Sequence, residues 1–236
     1  MKIRLTIGAI ALGFAVAGCR TNCPNYGGEL KDCDLTLSGI HFTRSLNGGV
    51  KLAVEKDGAI VMEANKGADY FIFPDPKDKP NANAGAIFTE IDNTKPFTFT
   101  ARVNCGFSPE GVYNAAVMFL YVNDGLWQKI CFEQDERGNH RIVTVRTVGT
   151  SDDNNHEVFN GVDRVYFKMS SDANTIAWYY SVDGAKWQRV RLYKNEYPGK
   201  VLIGLFSQAP QSDNCISTFE EVRLTGESVK DFWMGE

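Results

Sequence analysis

The chain has 236 residues, with 25 basic and 29 acidic side chains and a formal charge of −4, which argues against nucleic acid or another polyanion as partner. Six cysteines and three histidines are present, but there is no Cys-x-x-Cys, and His41, His140 and His156 stand at no ligand spacing, so a zinc centre is not indicated. No linker rich in proline, serine or charge divides the sequence and no repeat is visible, which points to one large domain.

Lys2 and Arg4 open the chain, Ile7 to Val16 is apolar and small, and Ala17-Gly18-Cys19 follows. The apolar run is too short to cross a hydrocarbon core of ~30 Å. It reads as a lipoprotein signal over residues 1–18, with Cys19 lipidated and residues 19–34 a tether. An ordinary signal peptide with an incidental Cys19 is the plainer alternative. The expected location is across the inner membrane and lipid-anchored in the cell envelope, at the outer membrane. Cys23 and Cys33 bracket a short loop and are the expected disulfide. Cys105, Cys131 and Cys215 are expected as buried thiols.

From Leu35 onward, short runs rich in Val, Ile, Thr, Phe and Tyr alternate with Gly, Asn, Asp and Pro. The spacing predicts thirteen strands: Val50–Glu55, Ala59–Glu63, Tyr70–Phe73, Ala86–Ile91, Phe97–Asn104, Asn114–Asn123, Trp127–Gln134, Arg141–Val148, Arg164–Met169, Thr175–Ser181, Trp187–Leu192, Lys200–Phe206 and Ser217–Thr225. This predicts an all-β sandwich or barrel over residues 35–225 with a tail at 226–236. Asp57-Gly58, Asp124-Gly125 and Asp183-Gly184 sit between such runs and predict tight hairpins. Pro74 to Asn83, with three prolines, predicts a surface loop.

The ordered set Trp127-Gln128-Lys129-Ile130-Cys131-Phe132-Glu133, Val143 to Thr147 leading to Ser151-Asp152-Asp153, Tyr180 to Trp187, and Gly204 to Pro210 followed by Phe219 resembles a bacterial family. This is the domain-of-unknown-function family thirteen-forty-nine, labelled "regulation of enolase protein"-like. The resemblance implies a concanavalin-A-like jelly-roll sandwich of two antiparallel sheets, a fold shared by lectins and glucanases, and no established activity. The sequence departs from the family pattern where Phe71 rather than tryptophan follows Asp69-Tyr70, and where Ala209 precedes Pro210.

Alternation along the strand from Trp127 sends Ile130 and Phe132 to one face and Trp127, Lys129, Cys131 and Glu133 to the other. An aromatic ring with an ammonium and a carboxylate on one exposed strip suits a sugar, and Trp127, Lys129 and Glu133 are the expected ligand residues, with Tyr180 added from a strand taken as neighbouring. A cross-strand salt bridge on a solvated sheet accounts for the charged pair as well. Carbohydrate binding without catalysis is therefore the expected function. A glycoside hydrolase using Glu133 and Asp135 and a protein-interaction lipoprotein are the alternatives. No cofactor is expected. Calcium is the one metal with a place in the sequence, at the Asx-rich stretch Ser151-Asp152-Asp153-Asn154-Asn155, read as a loop.

Overall fold

The computed structural model describes residues 26–236. Cys19 and Cys23 lie outside the described residues, and with them the lipidation site and the Cys23–Cys33 pairing.

In chain order the strands are β1 (Leu30–Leu37), β2 (Ile40–Leu46), β3 (Ala53–Lys56), β4 (Ala59–Asn65), β5 (Tyr70–Phe71), β6 (Asn81–Ala82), β7 (Ala86–Asp92), β8 (Phe97–Cys105) and β9 (Ala115–Asn123). They continue as β10 (Leu126–Gln134), β11 (His140–Val148), β12 (Thr150–Val158), β13 (Arg164–Ser171), β14 (Thr175–Ser181), β15 (Gln188–Lys194), β16 (Lys200–Gln208) and β17 (Asn214–Thr225). An eight-stranded antiparallel sheet in the order β1-β2-β7-β16-β9-β10-β11-β12 packs on a seven-stranded one in the order β15-β14-β13-β8-β17-β4-β3, while β5 and β6 form a separate short hairpin. This is the concanavalin-A-like jelly-roll sandwich.

Local sequence explains most of it. Phe97, Phe99, Ala101, Val103 and Cys105 are buried in strict alternation along β8, the pattern of a strand with one face on a core. Asp57 and Gly58 both take positive φ, 53° and 78°, as a two-residue hairpin turn requires. Asp124-Gly125 does not: neither residue has positive φ. The Asp124 carboxylate instead accepts hydrogen bonds from the backbone N–H of Tyr26 and Gly28 and from the Tyr121 hydroxyl at 2.8 Å, tying the start of the described chain to the β9–β10 hairpin.

Two expectations are corrected. The Asx-rich stretch is not a loop but part of the edge strand β12, paired with β11 from Val148↔Thr150 to Arg141↔Val158. Its poor intrinsic β-propensity is overridden by the long partner strand, and among the described residues no cluster of three or more His, Cys, Asp or Glu could hold a metal. β1 begins at Leu30, within the stretch expected as tether; it is mostly exposed and polar, so its alternation is faint in the sequence. The tail over 226–236 is docked on the seven-stranded sheet: the Tyr179 hydroxyl donates to Phe232 O at 2.8 Å and Lys168 Nζ donates to Gly235 O at 2.7 Å.

The two faces of the eight-stranded sheet are distinct. Ile130 is in register with Thr144, whose hydroxyl receives Arg191 Nε from β15 of the opposite sheet, and Phe132 stacks edge-on with Phe107 at 5.0 Å. That face is the sandwich interior, as the alternation predicts. The other face points outward, and residues 66–85 lie across the part of it around Phe119, Trp127, Lys129 and Ser151. Tyr70 from this segment meets Phe119 at 5.4 Å and Trp127 at 6.0 Å between ring centroids. Ile72 exchanges hydrogen bonds with Ser151 on β12, its N–H donating to Ser151 Oγ and its carbonyl accepting from Ser151 N, both at 2.9 Å.

Candidate functional site on the outer sheet face

The covering segment decides the fate of the expected ligand strip. Trp127 is fully buried, its indole N–H donates to Asp124 O at 2.9 Å, and its ring is edge-on to Tyr70 and Phe119. It is a core residue of the outer layer and cannot stack on a sugar. Tyr180 is not a neighbour of it. Tyr180 lies on β14 in the seven-stranded sheet, buried and edge-on to Phe159 at 5.3 Å, on the floor of a separate cleft of about 430 Å³ lined also by Glu157, Lys186 and Gln188. Sequence alternation reports which face a side chain takes but not which sheet a distant strand joins.

Lys129 and Glu133 are also buried, but they are joined by a polar chain rather than an aromatic one. Lys129 Nζ lies 3.3 Å from Asp69 Oδ1 of the covering segment and donates to Gln208 Oε1 on β16 at 2.8 Å. Gln208 Nε2 in turn donates to Glu133 Oε2 at 3.0 Å and to Tyr113 O at 2.8 Å. Asp69 is itself held by its own neighbour Tyr70 N and by Asn81 Nδ2. Burial works against the charge on Lys129, but Asp69, Cys131 and Glu133 outweigh it and hold its pKa above the ordinary lysine value. Burial pushes Glu133 up to about 8, with Asp153 and Asp69 adding to the rise and Lys129 opposing it. Glu133 is therefore mostly a neutral carboxylic acid at pH 7. Its Oε1 takes no hydrogen bond among the described residues.

Around this floor the rim is polar. In β12 register, Asp153 pairs with Val145, which pairs with Lys129, so Asp153 and Lys129 share the outer face two strands apart. Asp153 keeps access to solvent, yet the protein packed around its carboxylate removes part of its hydration and raises its pKa, with Lys129 opposing. Tyr113, half-buried and within electrostatic reach of Glu133 and Asp153, is held at φ 63°. That left-handed conformation is strained for a bulky residue, and such strain concentrates at functional sites. Its N–H donates to Gln134 O at 2.7 Å, which fixes the turn.

Asp135 does not contribute. Burial would raise its pKa, but hydrogen bonds from Asn139 and Arg137 N and the Arg141 guanidinium outweigh it and hold it below the usual carboxylate range. It organises the β10–β11 turn, with its carboxylate taken up by Arg137 N, Asn139 and Arg141, and lends no support to the alternative of a Glu133–Asp135 catalytic pair. Asp69, Gln208, Asp153 and Tyr113 are the site residues that sequence reasoning missed. The signal for two of them was present, since Asp153 and Gln208 fall in segments that carry the family resemblance.

The sequence model of the family described as "Protein of unknown function (DUF1349)" matches residues 46–227. The chain belongs to this family. No curated protein matches the sequence. Among solved structures, a functionally unknown protein from Saccharomyces cerevisiae is similar at a TM-score of 0.66 and 18% identity, covering 87% of this chain and 100% of its own. The GH43 protein BlXynB from Bacillus licheniformis is similar at 0.58 and 17% identity, covering 84% of this chain and 39% of its own. Bacteroides ovatus Xyloglucan PUL GH43B follows at 0.56 and 13% identity, with 83% and 39% covered. The chain thus spans about two fifths of the GH43 proteins it matches. These likenesses establish the fold.

Proposed function

We propose that this DUF1349 protein is a non-catalytic carbohydrate-binding domain that takes its ligand on the outer face of the eight-stranded sheet. The observation that carries the reading is the buried chain Asp69–Lys129–Gln208–Glu133, which ends in a neutral carboxyl with one unbonded oxygen beneath the polar rim of Asp153 and Tyr113. Sugar hydroxyls donate and accept at once, and a carboxylic acid beside an amide and an ammonium offers both functions. Tyr113 provides the aromatic surface at the rim that buried Trp127 does not. The GH43 proteins that share the fold lend support by likeness only.

In the same reading, Cys19 carries lipid and tethers the domain to the cell envelope, and a Cys23–Cys33 disulfide secures the tether. Serine at position 19 should release the protein from the detergent phase.

Affinity electrophoresis against plant and microbial polysaccharides, with reducing-sugar release measured in parallel, tests the function. Retardation without sugar release is expected, and Asp153→Asn and Tyr113→Ala should each reduce it. Sugar release would make the protein a hydrolase, for which the raised Glu133 carboxyl would be the proton donor. No retardation by any polysaccharide would overturn the proposal.

A further inference from the structure

A second set of polar groups lies on the inner face of the same sheet and has no role in the outer site. Gln128 is completely buried, and neither its amide nitrogen nor its amide oxygen has a hydrogen-bond partner. Directly across the strand pair from it stands Arg146 on β11. The Arg146 guanidinium stacks on the Tyr193 ring of β15 at 4.4 Å to the centroid. Its buried Nε is unpaired, and among the described residues no carboxylate stands within ion-pair distance of it. The adjacent Arg191, by contrast, has Asp152 at 3.6 Å. The Tyr197 hydroxyl sits beside both Arg146 and Tyr193 yet makes a well-formed hydrogen bond with neither.

Orphaned groups on three side chains thus converge between the sheets, and Tyr197 connects them to the surface. Tyr197 is among the residues that line an open polar cleft of about 280 Å³ with Asn93, Asn174 and Asn195 at this end of the sandwich. Buried polar atoms are normally satisfied, and Arg146, half-buried with its Nε out of solvent, carries a charge that no carboxylate among the described residues meets.

We propose that Arg146, Gln128 and Tyr197 form a binding site for a small hydroxylated oxyanion entering between the sheet edges. The donors are the guanidinium, the Gln128 amide N–H and the Tyr197 hydroxyl, which select negative oxygen. The single unmatched acceptor, Gln128 Oε1, selects a ligand that also carries an O–H. Hydrogen phosphate and a hydroxy-carboxylate such as a uronic acid satisfy both demands. Sulfate and acetate, lacking a hydroxyl at neutral pH, satisfy only the first. The planar fork of arginine stacked on a tyrosine is pre-organised for such an anion.

Isothermal titration calorimetry in a buffer free of these anions tests the site, with phosphate, sulfate, acetate and glucuronate as separate probes. Saturable binding of one phosphate or one glucuronate per chain is expected, tighter than sulfate and acetate respectively, and the stronger of the two arms names the source of the oxyanion. Gln128→Leu should weaken that binding at least about tenfold, while its melting temperature without anion equals or exceeds that of the unsubstituted protein, because two orphaned groups are gone. Tyr197→Phe, at the mouth of the cleft, should weaken it severalfold and carries the test should Gln128→Leu not fold. The proposal is overturned if no probe binds saturably, or if binding survives both substitutions unchanged. A Gln128→Leu protein that melts higher while the unsubstituted protein ignores all four anions would mean solvent alone serves these groups, and would overturn it equally.

Discussion

Lys129 Nζ and Asp69 Oδ1 lie 3.3 Å apart, and both side chains are buried where the segment over residues 66–85 crosses β10. The pair fastens the covering segment to the sheet. Removing one partner leaves the other charge in a poorly solvated site, so Asp69→Asn should cost about 3–5 kcal/mol of folding free energy. Asp69→Asn combined with Lys129→Met should recover much of that loss, because no unpaired charge is left behind. Denaturant unfolding of the two single variants and the double variant measures this. A single-variant loss below about 1 kcal/mol would place the pair in solvent.

Trp127→Ala should also destabilise, by about 3–5 kcal/mol, since the ring is packed against Tyr70 and Phe119 with no exposure. Trp127→Phe keeps most of the apolar contact but loses the donation to Asp124 O, at a cost of about 1–2 kcal/mol. Thermal melts of both variants provide the check. Polysaccharide retardation, measured at a temperature where both stay folded, should be unchanged, because Trp127 forms the underside of the site and not its surface.

Gly204 lies in the middle of β16, and a Cβ there would meet Ile87 O at 1.9 Å and Phe88 Cδ1 at 2.7 Å. Phe88, on the neighbouring β7, is its register partner and uses the space that a side chain would occupy. Glycine inside a strand marks such close approach. Gly204→Ala should lower stability by about 3 kcal/mol or more. Gly226→Ala, where nothing lies within 4 Å, serves as the control and should change stability by no more than about 0.5 kcal/mol.

What the sequence made legible follows from the range of each signal. Alternation over a few residues sends Ile130 and Phe132 inward correctly, and the thirteen expected strands all correspond to strands of the two sheets or of the short hairpin. The same alternation misplaces Trp127 in solvent because its cover comes from Tyr70, nearly sixty positions earlier, in a segment whose prolines read as surface. Asp78 and its neighbours are indeed exposed, but Tyr70, Ile72 and Ala82 on either side plug the sheet. β12 was invisible because Asp152 to Asn155 have the composition of a turn and become a strand only through the ladder with β11. Gln128 has the parity of Ile130 and Phe132 and so is sent inward by the same alternation, but an unpaired amide leaves no mark on a pattern of residue types.

The Glu133 carboxyl gives the protein a pH dependence of known sign. Burial raises its pKa from the ordinary glutamate value of 4.5 to about 8. Between those two values the unfolded chain has released the proton and the folded chain retains it, so the unfolded state binds fewer protons and stability falls as pH rises. The contribution is fully present below about pH 4.5, is lost progressively toward pH 8, and changes no further above it. Glu133→Gln keeps the shape and cannot ionise. It should therefore be more stable than the unsubstituted protein at pH 9, by a few kcal/mol on the scale of about 1.4 kcal/mol for each pH unit separating the folded and unfolded pKa values, with the difference shrinking steadily toward pH 5. Other groups titrate in this range, including His140 and His156, whose pKa values burial lowers. They are common to both proteins and cancel in the difference between the two unfolding curves. A difference that does not vary between pH 5 and pH 9 would show that Glu133 is ionised throughout, and the neutral acid on which the proposed sugar site depends would be lost with it.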